Sequence, residues 1–252
     1  GGAHGDGNGV SSPPRKLSSR VPSFGSSLAA TARLPTTWLF AVQYIGVTAV
    51  TNIARFFLPM LIREASPTLK PWQVGVVGAL PAAAKVFTSP AVAAWADRRP
   101  AIRRFPVSWG VFACSAALLL LTGCLMLSAA GAPQDPMLAA QTVALLATAD
   151  ILTQAGISSF WAAHHAVQPA VLAPCSIALV NSVGNIGGFV GPVLLGSFHD
   201  RFGPACFAGA KTCTSSWAWG TVVIASGYAL LTIATWCVTV RLDLAKQCGR
   251  DP

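Results

Sequence analysis

The sequence predicts an all-α membrane protein, a bundle of six transmembrane helices, and two observations carry that expectation. The 252 residues are 53% hydrophobic and only 10% charged, where soluble domains carry roughly 25% charge. From Trp38 onward the apolar residues fall into six stretches, at 38–60, 72–96, 106–130, 137–160, 170–198 and 217–240. Each reaches the ~20 residues that a helix rising ~1.5 Å per residue needs to cross a hydrocarbon core of ~30 Å.

Short connections between the stretches require neighbouring spans to run antiparallel. Pro71, Pro106, Pro136 and Pro169 stand at or just before span starts, where a missing N–H costs nothing because a helix leaves its first amides unpaired. Pro81, Pro90 and Pro192 fall inside spans, where bends are expected. Three regions follow. Residues 1–34, rich in Gly, Ser and Pro, read as a disordered cytoplasmic tail or central-loop linker. Residues 35–245 form the six-helix transmembrane domain, and 246–252 a short cytoplasmic tail. The sequence starts with Gly rather than Met, as a fragment of a longer chain would.

A net charge of +9 raises the question of a nucleic-acid partner, but the bases flank the spans instead of clustering among aromatics on a soluble face. No nucleic acid is expected. Eleven of the seventeen Lys and Arg residues lie on the side of the termini, and only Arg63, Lys70, Arg201 and Lys211 on the other. Positive charge is retained on the cytoplasmic side, so both termini of this multi-pass protein are placed there. Of seven cysteines, Cys114, Cys124, Cys175 and Cys237 fall in spans, while Cys206 and Cys213 share one non-cytoplasmic loop. A bridge there is chemically allowed, although spacing does not fix its geometry.

Polar side chains at membrane depth are the candidate site. Lys85 and Asp150 each stand 13 residues into spans that run the same way, from 72 and from 137, hence ~20 Å below the outer surface. An unpaired charge near the midplane costs at least ~3 kcal/mol, so each needs a partner, a wet cavity or both. Lys85 suits an anionic substrate and Asp150 a coupling proton; a static pair or a snorkelling lysine is the alternative. Arg55 follows Asn52 in the first span and offers a bidentate clamp for a carboxylate or phosphate, or an interface anchor. Gln154 lies one turn from Asp150 on the same face. In the fifth span Gly184 and Gly188, and again Gly187 and Gly191, make two small-residue ridges for close helix approach. Asn181 and Asn185, in the same span, must find partners, and a substrate is one candidate.

Trp161, His164, His165 and Gln168 read as a solvated cytoplasmic connection. No metal-ligand set, nucleophile motif, Walker loop or dinucleotide fingerprint is present, so no metal, cofactor or enzymatic activity is expected.

The residues 96–104, ADRRPAIRR, resemble the basic cytoplasmic signature of the major facilitator superfamily. The run 177–192, IALVNSVGNIGGFVGP, followed by Asp200-Arg-Phe-Gly203, resembles the eleventh helix of the anion:cation symporter branch of that superfamily. Phe160-Trp161 and the run 72–81, WQVGVVGALP, fit the same branch, the latter as the start of an eighth helix. Residues 78–87, GALPAAAKVF, also resemble the second helix of another branch, which leaves open a hybrid of one half with a later segment. The resemblance covers residues 35–245 and implies the C-terminal half of a twelve-helix transporter of organic anions. It further implies that Asp97, with Arg98 beside it, contacts a helix of the other half, and that Gly184, Gly187, Gly188, Gly191 and Pro192 serve structure and gating. Substrate would sit between the halves near the midplane, and their rocking would give alternating access.

The expected function is therefore secondary transport of a small organic anion, as symport with H+ or Na+. Arg55 and Lys85 would attract the anion, Gln154, Asn181 and Asn185 would orient it, and Asp150 would couple the ion. The lipid bilayer surrounds the bundle, and a second six-helix half or a homodimer would close it. The other reading is a non-transporting membrane component, or a truncated transporter that needs a partner chain.

Overall fold

Each apolar stretch becomes one helix. A computed structural model describes residues 23–99, 104–128, 136–202 and 214–248. Within them run α1 (Phe24–Ala32), α2 (Pro35–Ala65), α3 (Pro71–Asp97), α4 (Arg104–Ser128), α5 (Pro136–Val167), α6 (Ala173–Phe202) and α7 (Thr214–Cys248), with no strand among the described residues. All but α1 contain a segment long and apolar enough to span a bilayer, where an unbroken helix is the way a single segment satisfies its own amides and carbonyls.

Local signals set the ends. Pro35 and Pro71 open α2 and α3 at the first helical turn. At α3 the Lys70 N–H donates to Gln73 Oε1 at 2.8 Å, which satisfies an amide that the helix itself cannot. Ser23 Oγ accepts from the Ser26 N–H at the head of α1. Pro59, unremarked in the sequence reading, joins Pro81, Pro90 and Pro192 inside helices. It withholds the amide that the Arg55 carbonyl would otherwise accept.

The centre of the bundle is α2, which packs on α6, α5 and α7; α4 spans α5 and α7, and α3 rests chiefly on α5. The core is aromatic: Phe40, Trp109, Phe112 and Phe160 are fully or almost fully buried, with Phe40 meeting Phe160 edge-on at a centroid distance of 5.1 Å. Beside it runs a polar chain. Trp109 Nε1 donates to Thr235 Oγ1 at 2.7 Å, and Thr235 donates to Gln43 Oε1 at 3.0 Å. Gln43 Nε2 in turn donates to Thr232 Oγ1 at 3.2 Å. Burial without such partners would be costly for the carboxamide. Half of the most apolar window of α2 is buried, against 6% of that of α3, so α3 lies at the margin of the bundle. Its Trp72, Val86 and Phe87 are 65%, 66% and 76% exposed, a surface suited to lipid or to another chain and not to water.

Two expectations change. The segment read as a disordered tail is helical from Phe24 to Ala32, where α1 lies on α6; residues 1–22 are outside the described part. The supposed cytoplasmic connection is helix as far as Val167, because no Gly or Pro stands between Gly156 and Pro169 to break it. His164 is consequently buried, with Nε2 2.9 Å from Ser176 Oγ. Cys206 and Cys213 lie outside the described residues, as does Arg103.

Candidate functional site

The charged pair forms as expected. Lys85 Nζ on α3 meets Asp150 Oδ2 on α5, with the two side chains 21% and 5% exposed. Asp150 Oδ1 is buried and has no hydrogen-bond partner among the described residues. The charge of Arg55 on α2 also acts on Asp150, although Arg55 itself is exposed and not in direct contact. Three helices thus bring two cations and one carboxylate to one region.

Register places the other candidates around it. Counting from the end of the bundle that carries both termini, Lys85 is 12 residues from the end of α3, Gln154 is 13 from the end of α5, and Asn185 is 12 from the start of α6. All three stand at a depth of ~18–20 Å. Asp150 is one helical turn further in, and Arg55 lies 20 residues from the start of α2, at ~30 Å. Gln154 is half-buried, while Asn181 and Asn185 are exposed on a face of α6 turned away from its buried stripe. Lipid offers those two carboxamides nothing to bond with.

The glycine ridges do face a helix, namely α2. A Cβ added at Gly187 would overlap the Ile45 carbonyl, and one at Gly191 would lie 2.9 Å from Ala49 Cβ and 3.0 Å from Ala49 Cα. Gly184 abuts the Tyr44 ring, and Gly188 abuts Asn52, whose Nδ2 donates to the Thr48 carbonyl at 2.9 Å. The glycines therefore bring the backbone of α6 against α2 along the stretch from Tyr44 to Asn52. Pro192 is half-buried in the same helix. Asp97 and Arg98 are exposed at the end of α3, where Arg99 stacks on Trp95 at 4.3 Å. They are well separated from the charged pair along the helix.

One layer was missed by the sequence reading. Tyr44 stacks on Phe160 at 5.6 Å and meets Trp161 edge-on at 5.2 Å. These rings lie nearer the terminus-bearing end, at the level of Asn181. Nearer still, Gln168 Nε2 reaches Thr36 Oγ1 at 3.1 Å and Thr37 Oγ1 at 3.4 Å, which ties α5 to α2. The absence of a helix breaker before Pro169 was the available signal. Among the described residues no group of three or more His, Cys, Asp or Glu side chains is placed to hold a metal ion.

No family model matches the chain, and no solved structure matches it. Two curated proteins of Agrobacterium vitis are similar to it, each described as "Putative tartrate transporter". One is 31% identical over 173 residues, covering 67% of this chain and 35% of its own. The other is 29% identical over 167 residues, covering 65% of this chain and 33% of its own. The matched part of the chain thus spans about a third of the length of these relatives. With six helices of spanning length, the chain is a multi-pass integral membrane protein similar to part of proteins described as transporters.

Proposed function

We propose that the chain forms one half of a secondary active transporter for a small organic anion. The observation that carries this reading is the Lys85–Asp150 pair at membrane depth with Arg55 close by, which leaves a net positive charge where lipid would tolerate none unused. Arg55 and Lys85 attract the anion, while Gln154, Asn181 and Asn185 orient it. Asp150, with one carboxylate oxygen unpartnered, takes the coupling ion, H+ or Na+. The description of the relatives as tartrate transporters supports an organic anion as cargo. The excess of Lys and Arg on the side of the termini supports cytoplasmic termini. Movement of solute needs only that the two conformations bind it with different affinity, in alternating access of the major facilitator kind.

The exposed apolar face of α3, with Trp72, Val86 and Phe87, favours a partner surface, supplied by a second six-helix half or by another copy of the chain. A membrane component that transports nothing until joined by that partner is the second reading. Uptake of labelled small carboxylates into proteoliposomes tests both, with the chain alone and together with a six-helix partner. Flux that Arg55→Gln sharply reduces at unchanged protein level supports transport; absence of flux for every anion in either preparation refutes it.

A further inference from the structure

Beside the charged trio, on the side away from the termini, the three helices line an open chamber of about 450 Å³. Its walls continue the same helix faces. Leu58 and Ile62 follow Arg55 by three and seven residues, Val77 and Pro81 precede Lys85 by eight and four, and Val143 and Ala147 precede Asp150 by seven and three. Residues at such spacing stack on one side of a helix, so the chamber lies along the same helix faces as Arg55, Lys85 and Asp150, which do not themselves line it. Apart from Ser66, every side chain lining the chamber is apolar.

We infer that this site takes a carboxylate carried on an apolar body, an alkyl or aryl carboxylate, with its charge at Lys85 and Arg55 and its hydrocarbon part in the chamber. Lys85 and Arg55 provide two cations for the carboxylate, and the single positive charge left after Asp150 is counted becomes two once that group holds the coupling ion. The volume falls within the range of ~300–1,000 Å³ typical of small-molecule sites, which combine apolar walls with a few placed polar groups. A polyhydroxylated acid would bury its hydroxyls against Leu, Val and Ala with nothing to accept or donate. The inference rests on the transport reading above and narrows its substrate class.

Equilibrium binding of labelled benzoate, octanoate and tartrate to the full chain in nanodiscs tests it. Benzoate or octanoate is expected to bind at least about tenfold more tightly than tartrate. Ala144→Phe places a ring at a chamber-lining position that is exposed, so the helix has room for it. It is expected to weaken the apolar acids about tenfold and leave tartrate within about twofold. Tartrate bound as tightly as the apolar acids, or all three indifferent to Ala144→Phe, overturns the inference while leaving anion transport standing. A co-purified lipid chain that Ala144→Phe excludes and no carboxylate displaces also overturns it. Binding of none of the three, with uptake of every anion absent as well, overturns the transport reading and this inference together.

Discussion

Between α2 and α6, glycines let one backbone lie against another; between α3 and α5, an ion pair joins two helices beside an open chamber. Both contacts answer the same problem, that lipid gives apolar helices no hydrophobic reason to associate. The first relies on dispersion at close range and tolerates no added atom. The second relies on a charge pair that is costly unless used, and it leaves space. The bundle thus holds one seam with no room between backbones and one that joins charges beside open space.

The sharpest way to break this comparison is at Gly187. Leu there would drive a side chain into the Ile45 carbonyl, and Gly187→Leu is expected to abolish recovery of monodisperse protein in detergent. Gly187→Ala is expected to cost about 1–3 kcal/mol, the usual penalty of overpacking, read from thermal unfolding. Gly75→Ala is the control, since a Cβ there meets nothing, and it should stabilise α3 by up to ~1 kcal/mol.

On the charged seam, Lys85→Ala strands a buried carboxylate and should destabilise the protein by about 3–5 kcal/mol. Replacing both partners, Lys85→Met with Asp150→Leu, should restore unfolding to within ~1 kcal/mol of the unchanged protein and still eliminate anion uptake. Recovery of uptake in the double variant would show the pair to be structural alone. Gln43→Leu tests the polar chain to Thr235 and Trp109 and should cost about 1–3 kcal/mol, with any anion affinity unchanged. The smallest effect on stability is expected at exposed Arg55. Arg55→Gln should shift unfolding by less than ~0.5 kcal/mol, yet lower anion affinity ~10–100-fold through loss of a charge-assisted contact.

Much of this was legible in the sequence because membrane solvation restricts the choices. Six apolar runs had to become helices, and two charges at equal depth, Lys85 and Asp150, had a strong reason to meet. The two glycine ridges also announced a close contact, although their spacing did not say that Ile45 and Ala49 of α2 would receive it. Helix ends were less legible. Trp161 to Gln168, with two histidines and a glutamine, resemble a loop, but their hydrogen-bond partners, Ser176 for His164 and Thr36 and Thr37 for Gln168, come from other helices. The helix at Phe24–Ala32 escaped for a similar reason, since it rests on other helices and the residues it buries there, Ser27 and Thr31, are polar.

The sequence by itself determined which residues enter lipid, how many times the chain crosses, and which rare charges must be satisfied there. Those follow from the cost of placing an amide or an ion in hydrocarbon, a cost paid locally and therefore visible in a linear pattern. Only the tertiary structure decided that α2 is the central helix, that Arg55 approaches the Lys85–Asp150 pair, and that an apolar chamber opens beside them. Those depend on how helix faces are rotated and matched across hundreds of weak contacts, and no single residue records them.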